Sequence, residues 1–402
     1  MNNRKDILSQ NMSTMDELNR TRMRSSRMER KSKEKGSRDY KGNKKSKIKD
    51  TVTSIFTVLF SLGTIGIMLV LFLLYGPING FREWLVTTAM TTMTHQYFAT
   101  WFYDDVTIDF ILSKNKIVEI NEDTNLDEIK VGEIETPTVY ENEYERAILE
   151  RDPNNNDYKV IDIHGKTFDG YLVAVYDASR VHTMCTEKLG VSGQYMTTMS
   201  QNHDALIAIN GGGFNDPNYN STGGSPLGIT VTNGEYKTKE SYAGSGGIIG
   251  FTEEDKLYLG KCSLSEAKKV GIRDACTFGP FLIVNGKKSN VVGNGGWGTA
   301  PRTVIGQRKD GIVLFLVLDG RKGTKVGADM DDLIEIMENY GAYNAANLDG
   351  GTSSVLVVNH VIVNDPIDST GAHKTRPIAT GFYLEKDESD DSDHEIVADK
   401  LK

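Results

Sequence analysis

Thr51 to Gly80 is an uncharged run of thirty residues with its apolar heart at Ile55–Tyr75. About 20 apolar residues cross the hydrocarbon core of a bilayer, and core helices of soluble proteins are seldom apolar on every face. The run therefore predicts a transmembrane helix over 51–80. It does not read as a signal peptide, because fifty basic-rich residues precede it and no small-residue cleavage pattern follows directly. Beyond it, Trp84, Leu85, Met90, Met93, Tyr97, Phe98, Trp101 and Phe102 recur at three- and four-residue spacing. That spacing predicts an amphipathic juxtamembrane helix over 81–102. Its apolar face has three destinations open to it: the membrane interface, the folded domain or a partner. Residues 103–157 are charged, mostly acidic and without clear periodicity, and read as a spacer.

From Tyr158 the pattern changes to short β-rich runs broken by glycine. Of 40 glycines, 29 lie between Asp204 and Tyr383, so turns and loops must be many there. Strands are expected at Leu172–Tyr176, Ala205–Ile209, Leu227–Val231, Gly247–Phe251, Phe281–Val284, Thr303–Gly306, Ile312–Leu318, Ser354–Asn359 and Ala379–Leu384. Arg308-Lys309-Asp310-Gly311 reads as a hairpin turn, since Asp-Gly tolerates positive φ. Asp331–Tyr340 places Leu333, Ile336, Met337 and Tyr340 on one helical face, with Gly341 to end it. The fold class expected is α+β: one mixed ectodomain over 158–384, preceded by a single spanning helix. The acidic tail 385–402 has no aromatic residue and reads as disordered.

Charge changes the picture by its distribution. The chain carries −9 overall, yet Met1–Asp50 carries +9 and the rest −18. Positive charge before the span and almost none just after it places the N terminus inside, so the main domain lies outside the cell membrane. The head 1–50 reads as a disordered cytoplasmic segment attracted to anionic headgroups. Basic residues outside the folded part argue against nucleic acid as a partner. Cys185, Cys262 and Cys276 form no CxxC pair and no disulfide framework, which leaves at most one bridge, such as Cys262–Cys276.

Gly293-Asn-Gly-Gly-Trp-Gly298 spells GxGxxG, but Pro301 and a strand follow it where a dinucleotide site needs a helix, so it is a loop. There is no P-loop, nucleophile elbow or HExxH. Three polar clusters remain at strand ends. Asn210-Gly211-Gly212-Gly213-Phe214 ends an apolar run with backbone that a ligand can approach closely. Pro301-Arg302-Thr303 brings a guanidinium fork suited to phosphate, with Asp319-Gly320-Arg321 soon after. Ala345-Ala346-Asn347-Leu348-Asp349-Gly350-Gly351-Thr352-Ser353-Ser354 crowds amide, carboxylate and hydroxyls into one loop between a helix and a strand.

Taken in order, NGGG-F, Gly224-Ser-Pro-Leu-Gly228, Gly279-Pro280 to Gly286, PRT-x-x-G, LDGR, NLDGGTSS and Arg376-Pro-Ile-Ala-Thr380 resemble the phosphodiester glycosidase family, over roughly 158–384. Thr352 stands where that family commonly has glycine. The resemblance implies a hydrolase that cleaves a sugar-1-phosphate ester, with a glycan or sugar-phosphate substrate at the cell surface. A phosphate leaving group needs little protonation, so the demands are to neutralise its charge and support an oxocarbenium-like sugar. Asp349 is the expected nucleophile or general base and Asp319 its partner. Arg302 and Arg376 would hold the phosphate, helped by the backbone of Gly211, Gly212, Gly350 and Gly351. Asn210 and Asn347 would bind sugar hydroxyls, with Thr352 and Ser353 orienting them. His203 and His373 are further acid–base candidates. No cofactor or metal is expected, though Asp349 and amide oxygens offer hard ligands for a divalent cation. Two alternatives stay open: a non-catalytic exopolysaccharide-binding or assembly protein, and a glycosyl or phosphoryl transferase. Sugar, aglycone, stereochemistry and oligomeric state are not readable.

Overall fold

The computed structural model describes residues 3–91, 95–132, 137, 139–153, 155–215 and 222–387. The chain falls into two compact units, Met1–Ile78 and Asn79–Lys402. The first is a single helix, α1 (Asn3–Tyr75), whose part from Lys49 to Tyr75 is long and apolar enough to cross a membrane. The basic head was expected to be disordered, yet from Asn3 onward it continues the same helix. Its composition explains the difference: Lys, Arg, Glu and Met favour helix, and no proline occurs before Pro77. Of the acidic tail, 388–402 lie outside the described residues.

The second unit is α+β. Among the described residues its strands form three large antiparallel sheets. The widest has seven strands, with Ala342–Asn347, Arg302–Arg308, Val313–Leu318 and Asp169–Val175 at its centre. Along the strand Val313–Leu318 the side chains alternate, as the pleat requires. Val313, Phe315 and Val317 face a core shared with the other two sheets, through Ile207, Ile209, Phe251 and Phe382. Leu314, Leu316 and Leu318 face the opposite core, closed by the helix Met330–Asn339 through Leu333 and Met337. Both faces are covered, which is why this run is unbroken in its apolarity. Asp329 caps that helix with Asp332, and Gly341 follows its end at φ +79°.

The nine expected strands all occur, with shifted ends. The turn 308–311 forms too: the Gly311 N–H donates to the Arg308 carbonyl at 3.1 Å and Asp310 holds Arg308. Two expectations need correction. Ala342–Asn347 is a strand, so the polar loop starts after Asn347; small residues fit there because strands press on it from both sides. The acidic spacer is docked structure. Lys116–Val118 pairs with Asn290–Val292, and Ile108, Ile111, Ile129, Ile148 and Leu149 are buried. Sparse apolar residues suffice because the domain supplies the remainder of the core, a pattern that periodicity within the segment cannot reveal. All three cysteines are free.

The juxtamembrane run forms helix α2 (Asn79–Thr91) and a single turn, Tyr97–Thr100. It packs on the domain, with Val86 and Ala89 buried. Its dock is the GxGxxG loop. Trp84 Nε1 donates to Thr299 Oγ1 at 2.9 Å, and Asn294 Nδ2 donates to Thr87 Oγ1 at 2.7 Å. At Gly298 (φ +59°) a Cβ would lie 2.6 Å from the Thr88 Cα, so glycine is what permits the contact.

Candidate active site

Three strand ends deliver the site. Ala205–Asn210 and Ala342–Asn347 end close together, with Arg302–Arg308 beginning beside them. Asn210 fastens them. Its Oδ1 accepts from Thr303 Oγ1 (2.7 Å) and the Val355 N–H (3.2 Å), and its Nδ2 donates to the Asp349 carbonyl (2.5 Å). The Asp349 N–H donates in turn to the Gly211 carbonyl at 3.0 Å. The stretches 210–214, 302–306 and 347–353 thus converge, as the motif order implies.

Several expected ligands turn out to be this frame. Asn210 is 1% exposed and its amide is fully engaged. The Gly211 and Gly212 N–H groups donate to the Thr380 carbonyl (2.9 Å) and hydroxyl (3.0 Å). A Cβ at Gly212 would sit 2.6 Å from the Thr277 carbonyl, so this glycine serves strand packing. Asn347 is buried and donates to the Gly279 carbonyl at 2.9 Å. Polar residues at buried strand ends look like ligands in a sequence, but the backbone groups they must satisfy are their nearer partners.

The loop after Asn347 carries the reactive-looking chemistry. Asp349 Oδ1 accepts from the Gly350 N–H at 3.0 Å, and Oδ2 pairs with Arg376 Nη2 at 3.2 Å. Both side chains reach solvent, at 17% and 30% relative exposure. Arg376 also donates from Nε to Ser353 Oγ (2.8 Å) and lies over the Phe214 ring, 4.6 Å from its centre. Gly351 (φ +63°) turns the loop and gives its N–H to the Pro301 carbonyl at 2.9 Å.

Arg302 departs from the expected phosphate role. Its Nε donates to the Ala328 carbonyl (3.2 Å), and its Nη2 to the carbonyls of Trp297 (2.6 Å) and Gly298 (2.7 Å). Burial lowers its pKa to about 10, against the opposing charges of Asp329 and Asp349. It braces the GxGxxG loop and contributes positive potential from behind. The arginine that the motif reading named without assigning a role is Arg321. Its Nη1 donates to Thr352 Oγ1 and the Ile367 carbonyl, each at 3.0 Å. Its Nη2 would meet a Cβ at Gly351 at 2.9 Å. Burial lowers its pKa as well, with Asp368 opposing. The signal was LDGR itself, whose last residue takes φ +63° and turns back toward the loop.

Asp319 is not seen paired with Asp349. Its Oδ1 accepts from Asn364 Nδ2 (2.8 Å) and its Oδ2 from the Asp365 N–H (2.9 Å). Burial raises its pKa despite those bonds. Asn364 also receives the Leu356 N–H at 2.8 Å, so Asp319 positions the strand that follows the loop. His373 bonds Asp365 at 2.5 Å, while His203 stacks near Tyr383, and burial lowers its pKa. A cation at Asp349 is disfavoured by its donors, since an N–H and a guanidinium occupy positions that a hard cation fills with oxygens.

The arrangement offers one accessible carboxylate on a glycine-turned loop, with three guanidiniums around it. Such a site suits an anionic substrate and charge development next to a carboxylate. The SPbeta prophage-derived uncharacterized protein YomE of Bacillus subtilis is 26% identical over 180 residues, covering 42% of this chain. The aligned stretch spans only 27% of that protein. Among solved structures, the zebrafish N-acetylglucosamine-1-phosphodiester alpha-N-acetylglucosaminidase catalytic domain, auto-inhibited by its pro-peptide, matches at 19% identity and a TM-score of 0.48, covering 57% of this chain and 83% of that one. An exported protein of Burkholderia pseudomallei matches at 16% and 0.43, covering 55% and 74%. Residues 203–385 match the family model for phosphodiester glycosidases, and every motif from Asn210 to Thr380 that carries the sequence resemblance lies inside that stretch, which is therefore similar to this family.

Proposed function

We propose that this chain is a single-pass, membrane-anchored hydrolase that cleaves a glycosyl phosphodiester outside the cell, releasing free sugar and a phosphomonoester. The observation that carries the reading is Asp349, solvent-reachable on its loop and paired with Arg376 beside Arg321. The leaving phosphate is already a weak base, so no strong acid is required. What the reaction needs is cationic cover for the phosphate and a carboxylate near the anomeric carbon. Arg376, the more exposed guanidinium, meets the phosphate, and Asp349 exchanges part of its ion pair for the sugar. The C1–O bond breaks with its electron pair leaving on phosphate oxygen, and a water oxygen bonds to C1. The water proton passes to Asp349, directly or after a glycosyl–enzyme intermediate. The apolar span and its basic N-terminal flank support the anchored, N-inside orientation.

The test is turnover of a panel of sugar-1-phosphate diesters by the full chain in nanodiscs, run in 18O-water with mass spectrometry. Label in the sugar, together with at least a hundredfold loss in Asp349→Asn, is expected. Label in the phosphate, or binding without turnover across the panel, would overturn the reading in favour of a phosphodiesterase or a glycan-binding protein.

A further inference from the structure

A cavity of about 570 Å³ opens beside the loop just described, and no step of the proposed reaction uses it. One wall is the juxtamembrane segment, with Trp84 and Leu85 from α2 and Phe98 from the following turn. Trp84 and Phe98 remain 40% and 42% exposed, although α2 is docked through its other side. The opposite wall contains Arg321 and the loop at Asp368. Arg321 is the residue that also holds Thr352, three positions from Asp349. The cavity is therefore apolar at one end and cationic at the end nearest the candidate active site. Asp368 stands at the same end, but it also pairs with Lys374 at 2.9 Å, so two cations, Arg321 and Lys374, outweigh its one carboxylate there.

From this polarity we infer that the cavity receives the aglycone of the substrate, an alkyl or prenyl chain esterified to the phosphate. The chain lies against Trp84, Leu85 and Phe98, and the phosphate takes the Arg321 end. The volume suits one drug-sized moiety, and each methylene buried there adds to affinity. The apolar stretch of α1 ends at Tyr75, nine residues before Trp84, so the wall belongs to the part of the chain nearest the span in sequence. An amphiphile from the outer leaflet is the occupant with both required ends. This assignment rests on the hydrolase reading for its chemistry, but not for its binding test.

Hexyl phosphate, inorganic phosphate and hexanol are titrated by calorimetry into the full chain in nanodiscs, with empty nanodiscs as control. Hexyl phosphate is expected to bind at least tenfold tighter than either component, and Leu85→Glu to erase that preference while Leu85→Met keeps it. Equal affinity for hexyl phosphate and inorganic phosphate overturns the inference. In parallel, kcat/KM is compared for decyl and methyl esters of one sugar-1-phosphate. A decyl preference that Leu85→Glu lowers at least tenfold supports the inference. Cleavage with no chain-length effect overturns it and leaves the hydrolase reading standing. Preferred hexyl phosphate binding with no ester cleaved supports the amphiphile site and overturns the hydrolase reading instead.

Discussion

Two glycine-rich loops of similar texture, Gly293–Gly298 and Asp349–Ser353, meet different fates. In the first, glycines at positive φ let α2 and Asn115 approach the backbone, and the loop's carbonyls are gripped by Arg302. In the second, Gly351 turns the chain so that Asp349, Thr352 and the buried Ser353 each meet an arginine, with Asp349 and Thr352 still reaching solvent. The first loop is bound through its main chain and the second presents side chains. What separates the two loops is the partner of each arginine: backbone carbonyls for Arg302, and a loop carboxylate or hydroxyl for Arg376 and Arg321.

That contrast can be broken at several points. The largest effect is expected from Asp349→Asn, at least a hundredfold in kcat/KM or about 2.7 kcal/mol of transition-state stabilisation, with thermal unfolding little changed. Arg302→Met should act on the opposite quantity. It takes one donor from each of three carbonyls, of which Ala328 keeps the Ala300 N–H and Trp297 the Thr91 hydroxyl, so a loss of about 1–3 kcal/mol in urea unfolding is expected. Gly298→Ala follows, at about 1–3 kcal/mol, because both its φ and the Thr88 backbone resist a Cβ; Trp84 emission should shift red as α2 loosens. Smallest is a pH effect at Asp368. The Thr370 hydroxyl bond above all, working against burial and helped by Lys374 and backbone N–H groups, holds its pKa well below the usual value. A depressed carboxylate stabilises above its unfolded pKa of about 3.9, and that contribution is lost as pH falls through the folded value. Proteolytic nicking at 366–374 should therefore rise below about pH 4, and Asp368→Asn should show it already at neutral pH.

The sequence made much of the strand framework legible, because runs such as Ile312–Leu318 are apolar throughout and few alternatives can bury them. It was less informative wherever burial is borrowed. Ile272–Phe278 contains Arg273 and Asp274, yet it is a central strand because those two pair with each other and with Asp255 and His182. The site shows the same division. Asp349, Thr352, Ser353 and Arg376, which the motifs single out, lie together on or beside one loop. Asn210, Asn347 and Arg302 bond backbone groups, because a polar residue in a strand-end motif can answer either a ligand or an orphaned backbone group. Arg321 gained a role only once its left-handed backbone was seen.

The docking of 79–157 also dictates where the protein can be cut. A fragment beginning at Tyr158, the boundary suggested by composition, would leave Asn290–Val292 without its partner strand, lose the buried Ile129 and Ile148 and remove the wall that Trp84 and Leu85 supply. The compact unit that keeps all of these contacts starts at Asn79. Within it, the residues that resemble a tether in composition serve as a girdle.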